Sequence, residues 1–159
     1  KKELVKLPIF GFFYKKAVVM VDRSDPKSRK EVYARIKKRL DTGLSIAIFP
    51  EGLVPTENII LAPFTNGAFS LAIEYKMPIV TQIYYDAKRL LSWDFFKGYP
   101  GVFRVKQLQF TETISLTNED RTTLKQQVYD LMYNELIKDK RYMKDTNRPN
   151  NEREIESPL

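Results

Sequence analysis

Phe49-Pro50-Glu51-Gly52 stands where the largely apolar run Leu44 to Phe49 stops. A glutamate at the mouth of a strand, between a rigid proline and a flexible glycine, is placed for chemistry more than for packing. Glu51 can accept a hydrogen bond from a substrate hydroxyl or order a nearby arginine. It can equally order its own loop by accepting backbone N–H bonds. Arg23 follows a second apolar run, Ala17 to Val21. A guanidinium there can grip a phosphate through two parallel hydrogen bonds, or pair with Asp22 or Asp25. Both residues follow the C-terminal end of a predicted strand, the edge at which open α/β sheets bind ligands. Thr65, Asn66 and Gly67 open a helix, where they can bind an anion or cap the helix.

The sequence has no histidine and no cysteine. Disulfides are excluded, and a zinc site lacks its usual ligands, so no metal is expected. If Glu51 belongs to an active site, its partner base lies outside this stretch of polypeptide. There is no Gly-rich phosphate loop and no nucleophile elbow. No carboxylate couple stands out; Glu119 and Asp120 sit at a helix start, where the dipole favours them.

The elements that must position these residues follow from periodicity and punctuation. Residues 2–16 read as two short amphipathic pieces broken at Pro8 and Gly11. Asp25 and Pro26 open a helix on which Val32, Ile36 and Leu40 recur, and Gly43 closes it. Leu44 to Phe49 reads as a strand covered on both faces. Residues 50–63 form a loop rich in proline. A helix then runs to Tyr75, with Phe69, Leu71, Ala72 and Ile73 as its buried side. Pro78 precedes a strand from Ile79 to Tyr84. Residues 86–101 are aromatic and irregular. Val102 to Phe110 is a further strand whose alternation slips near Gln107, as a bulge or an edge position would make it. Thr117 and Asp120 open a last helix to about Ile137, with Leu124, Val128, Leu131, Met132 and Leu136 facing inward. The alternation of strands and helices predicts an α/β fold, a mostly parallel sheet flanked by helices. One domain is expected over 1–143, with a polar, flexible tail over 144–159.

At 159 residues, 43% hydrophobic and 13% aromatic, the chain is long and apolar enough to bury a core. It has no apolar run long enough to cross a bilayer and no signal-peptide pattern at its start. The net charge of +7 is unevenly spread. Residues 1–40 hold thirteen Lys/Arg against four Asp/Glu, a net of +9, so the rest sums to −2. That basic quarter suggests an anionic partner or a solvated surface. Phe10, Phe12 and Phe13 among these lysines have the composition of a segment lying on a membrane surface, and equally of a helix packed on a core. Nucleic acid would need exposed aromatics interleaved with the basic residues along a groove. The aromatics here read as mostly buried, so no nucleic-acid partner is expected.

Four stretches in order carry a family resemblance. They are Lys1-Lys2-Glu3-Leu4 through Pro8-Ile9-Phe10-Gly11, Val18 to Arg23, Phe49-Pro50-Glu51-Gly52 and Pro78-Ile79-Val80. Pro63-Phe64 and Gly67-Ala68-Phe69 fall between the third and the fourth. Their order and spacing resemble the glycerolipid acyltransferase family, typified by 1-acylglycerol-3-phosphate acyltransferases, from Lys1 to about Lys140. The resemblance implies the glycerol-3-phosphate acyltransferase-like fold. It also implies transfer of a fatty acyl group from coenzyme A or acyl carrier protein to the free hydroxyl of lysophosphatidic acid, in phospholipid synthesis. Those thioesters are co-substrates, and no resident cofactor is expected. Arg23, Phe49, Pro50, Glu51 and Gly52 are the substrate-binding residues that it marks, Arg23 for the acceptor phosphate. The expected surroundings are an anionic membrane surface and its cytoplasmic face, reached peripherally or through an upstream anchor.

Two departures stand out. Leu53 and Val54 occupy the places where the family usually has threonine and arginine. The family's first block, a histidine followed five positions later by an aspartate, belongs a short way upstream of Lys1. The intact protein is therefore expected to extend further, and this chain to lack the catalytic base. The rival reading is a non-catalytic lipid-binding module of the same fold.

Overall fold

The computed structural model describes residues 11–12, 19, 26–53, 55–56, 58–90 and 100–146. It divides into two units, Lys1–Ile48 and Phe49–Leu159. The predicted strand Ala17 to Val21, the two pieces within 2–16 and the cap at Asp25 lie largely or wholly outside the described residues.

In the first unit, helix α1 spans Pro26–Leu40. Proline suits this start because its missing N–H would have no intrahelical partner there. Lys37, Lys38 and Arg39 crowd the last turn, where the helix dipole favours cations. The helix ends in a Schellman motif. Gly43 N–H donates to the Leu40 carbonyl at 2.8 Å, and Leu44 N–H donates to that of Arg39 at 3.2 Å. Gly43 takes φ +79°, the left-handed conformation that this closure needs. Ile36, on this helix, is buried.

The stretch after Gly43 departs from expectation. It joins no strand ladder among the described residues, and Leu44, Ile48 and Phe49 are exposed. A strand apolar on both faces needs neighbours at both edges and a layer on each side. The other strand predicted in this unit, Ala17 to Val21, lies largely outside the described residues.

In the second unit, α2 (Gly67–Glu74) leads to β1 (Ile79–Tyr84), a single turn α3 (Ala87–Leu90) and β2 (Val105–Thr111). A 3₁₀ turn over Asn118–Asp120 then opens α4 (Arg121–Leu136), and α5 (Lys140–Thr146) follows. β1 and β2 pair antiparallel, Ile79 opposite Thr111 and Tyr84 opposite Val105. The described residues thus combine helices with a two-stranded antiparallel sheet, and the mostly parallel sheet read from the order of elements is not seen among them. The register slips between Val80 and Gln82, where β2 carries one residue more than β1, beside the predicted phase change at Gln107.

The core lies between the helices and one face of this sheet. Phe69 and Ile73 from α2, Ile83 from β1, and Leu124, Val128 and Leu136 from α4 are its centre. All four residues predicted for the buried side of α2 are buried. Before α4, the Asp120 carboxylate accepts the Thr117 N–H at 2.7 Å and its hydroxyl at 3.0 Å, locking the expected start. α5 runs to Thr146, three residues past the boundary at 143, and residues 147–159 lie outside the described residues. It is anchored by Tyr142, which is 7% exposed.

Candidate active site

The Phe49–Gly52 segment is a tight turn. Gly52 N–H donates to the Phe49 carbonyl at 3.1 Å. Proline at the second position and glycine at the fourth are the residues a type I turn prefers. Gly52 takes φ +71°, which explains glycine there, and Glu51 keeps a negative φ. The Pro50 carbonyl accepts both the Thr65 N–H, at 2.8 Å, and the Thr65 hydroxyl, at 2.9 Å. These bonds close the neck of the 50–65 loop. The Thr65 hydroxyl therefore serves the loop and not the start of α2. Asn66 holds the N-cap position without a capping side-chain bond, because its amide oxygen accepts Lys125 Nζ at 2.9 Å.

Inside the loop, Glu51 Oε2 accepts the Ala62 N–H at 2.8 Å. The loop-ordering role considered for this glutamate is therefore real. Its second oxygen, Oε1, has no hydrogen-bond partner among the described residues. Burial raises the Glu51 pKa, and the Ala62 N–H and the Lys88 charge pull it part of the way back.

The segment facing Glu51 is held by side chains from three further elements. Lys88 Nζ, on α3, donates to the Ile59 carbonyl. Tyr142 Oη, on α5, donates to the Ile60 carbonyl at 2.6 Å. Tyr129 Oη, on α4, donates to the Leu61 carbonyl at 3.1 Å. Leu61 and Ala62 are buried, so their backbone groups need partners, and here the partners are side chains instead of a ladder. Lys88 Nζ also lies 5.6 Å from the centre of the Tyr142 ring, within cation–π range. The Tyr142 hydroxyl is pushed up to about 12, by burial first and by the nearby Glu51 charge second.

Of the residues marked in the sequence, Phe49, Pro50, Glu51 and Gly52 form one turn. Arg23 lies outside the described residues, and so does Val54. The Phe49 ring is 74% exposed and tilts against Tyr84 at 6.4 Å between centres. Lys88, Tyr129 and Tyr142 escaped the sequence reading. No local pattern marks them, because each meets the loop across 29 to 82 residues of chain. Among the described residues no acidic cluster could hold a metal, and no helix is long and apolar enough to cross a membrane.

Comparison with known proteins gives this arrangement a context. A protein named 1-acyl-sn-glycerol-3-phosphate acyltransferase from Limnanthes douglasii is 28% identical over 155 residues, 94% of this chain and 54% of that protein. One of the same name from Saccharomyces cerevisiae is 29% identical over 142 residues, 86% of this chain and 46% of its own length. The human 1-acyl-sn-glycerol-3-phosphate acyltransferase beta is 31% identical over 128 residues, 76% and 44% of the two chains. The chain thus spans about half the length of these relatives. No solved structure matches it at a significant level. The profile of the family described as Acyltransferase matches residues 1–85. That match takes in Arg23, the Phe49–Gly52 turn and β1, and by it the chain belongs to the Acyltransferase family.

Proposed function

We propose that the protein carrying this chain moves a fatty acyl group from an acyl thioester to the free hydroxyl of lysophosphatidic acid. The observation that carries the reading is the family match across residues 1–85, which includes the Phe49–Gly52 turn. The names of the relatives point to the same acceptor. The acceptor oxygen forms the new ester bond to the acyl carbon while the carbon–sulfur bond breaks. The hydroxyl proton passes to a base and finally to the leaving thiolate. The base is the histidine of the family's first block, which this histidine-free sequence does not supply. General base help of this sort contributes about 10²–10⁴-fold. The donor is coenzyme A- or acyl carrier protein-bound, and the chemistry is the same for both.

Arg23 holds the acceptor phosphate by paired charge-assisted bonds. Phe49 and Pro50 line the site, and Glu51 positions the acceptor with Oε1, the oxygen that Ala62 leaves available. The Gly52 backbone lets the substrate approach closely, and Pro78 to Val80 support the wall by packing. The full fold is a mostly parallel sheet flanked by helices, with a polar tail after Thr146. Because the acceptor resides in a bilayer, the enzyme works at an anionic membrane surface, on its cytoplasmic face.

The test is an acyl-transfer assay of the intact protein with lysophosphatidic acid. Arg23→Ala raises the apparent KM for this acceptor by about 10–100-fold, the scale of a lost charge-assisted hydrogen bond. An unchanged acceptor KM would remove Arg23 from the phosphate site. No acyl transfer by the unaltered protein would leave the lipid-binding module as the better reading.

A further inference from the structure

The backbone from Ile59 to Ala62 offers four polar groups on successive residues: three carbonyls and one N–H, the Ile59 carbonyl at the surface and the other three part-buried. Each is taken by a side chain from a different part of the fold, Lys88, Tyr142, Tyr129 and Glu51 in turn. A loop segment with no ladder partner keeps one conformation only while such bonds hold. Glu51 is common to this clamp and to the Phe49–Gly52 turn. A shift of the 59–62 segment therefore reaches the turn through the Glu51–Ala62 bond. The neck at Pro50 and Thr65 leaves the turn little freedom to absorb it.

We infer that Lys88 and Tyr142 are positioning residues for the acceptor site: they fix the 59–62 segment against which Glu51 holds its turn. Neither needs to touch the substrate. Lys88 acts twice, through its bond to Ile59 and through its charge beside the Glu51 carboxylate. Tyr142 brings α5 into the same assembly, so an element far along the chain sets the geometry of the turn. The assignment rests on the acyl-transfer reading above and adds residues outside the matched 1–85 region to it. Misplacing a positioned group by about 1 Å lowers rates or affinities by up to about 10²-fold, so loss of one anchor has a smaller but measurable effect.

Tyr142→Phe and Lys88→Met in the intact enzyme provide the test, with steady-state kinetics in both substrates. Tyr142→Phe keeps the ring and removes only the hydroxyl. Each variant should raise the KM for lysophosphatidic acid about 3–10-fold and leave the donor KM and kcat within about twofold, the pattern of lost acceptor positioning. Thr113→Val is the control. Its hydroxyl lies between the Ala72 and Met77 carbonyls, and its loss destabilises the unit without moving either KM. If both Lys88→Met and Tyr142→Phe keep the normal acceptor KM, or lower only the active fraction as Thr113→Val does, the positioning role is wrong. If the unaltered enzyme does not acylate lysophosphatidic acid at all, the functional reading fails and takes this role with it. A double variant, Lys88→Met with Tyr142→Phe, should shift the KM by less than the product of the single effects, because both act on one segment.

Discussion

Glu51 combines two demands that oppose each other. Its Oε2 must be an acceptor for a buried loop, while burial penalises the charge that makes it a good one. The balance leaves its pKa above the ordinary glutamate value of 4.5, with Lys88 and the Ala62 N–H limiting the rise. A carboxyl whose folded pKa is raised contributes stability that is present below 4.5 and is lost as pH rises through the folded value. Glutamine keeps an acceptor for Ala62 and never ionises. The Glu51→Gln variant is therefore expected to gain stability relative to the natural chain as pH rises above 4.5. Urea unfolding midpoints at several pH values would read this directly. A gap that stays constant, or closes, with rising pH would contradict the account. Asp139 behaves in the opposite sense. Burial pushes its carboxyl up, but bonds from Arg104 and the Tyr142 N–H outweigh this and hold it below the usual aspartate range. Its contribution is lost as pH falls.

Among the elements, the corner where β1 ends and β2 begins is tied by charge. Asp86, 1% exposed, accepts Arg104 Nε at 2.8 Å and the Arg104 backbone N–H at 2.9 Å. Arg104 also reaches Asp139 at 2.6 Å, beyond the end of α4, and stacks over Tyr85. Replacing Arg104 by alanine withdraws the guanidinium from a buried carboxylate and should cost about 3 kcal/mol. Thermal or urea denaturation would detect this, and a loss under about 1 kcal/mol would show the pairs to be dispensable. The sequence was legible where the information is local. Pro26 and Gly43 bounded α1, the apolar side of α2 was correct at every position, and Ile79–Tyr84 had its observed limits. The loop beginning at Pro50 was also legible, because proline and glycine state their own dihedral preferences, but Phe49 turned out to open a turn there instead of closing a strand. Strand direction was not legible, since an alternating pattern is the same whichever way its neighbour runs. Nor was the exposure of Leu44 and Ile48, because hydrophobic character alone does not tell a covered segment from an uncovered one. Lys88 and Tyr142 stayed hidden for a third reason: their partners lie 29 and 82 residues away, beyond any local window.

For the molecule as a whole, charge and apolar surface are spread unevenly. The net charge of +9 in residues 1–40 fits attraction to an anionic leaflet, where each lysine contributes roughly 1 kcal/mol. Binding of the intact protein to vesicles containing phosphatidylserine should weaken steeply between about 50 and 300 mM salt, as the screening length shortens. Binding that ignores salt would point to apolar insertion instead. The exposed face of the second unit's sheet, with Val80, Tyr84, Val105 and Phe110, is the other unusual surface. The anchoring of α5 through Tyr142 has a practical corollary. Anyone trimming this polypeptide for crystallisation would be tempted to cut where the sequence turns hydrophilic, near residue 140. That scissor point discards the phenol that latches Ile60, so a shortened product passes every solubility check and still holds the 59–62 segment, and with it Glu51, more loosely.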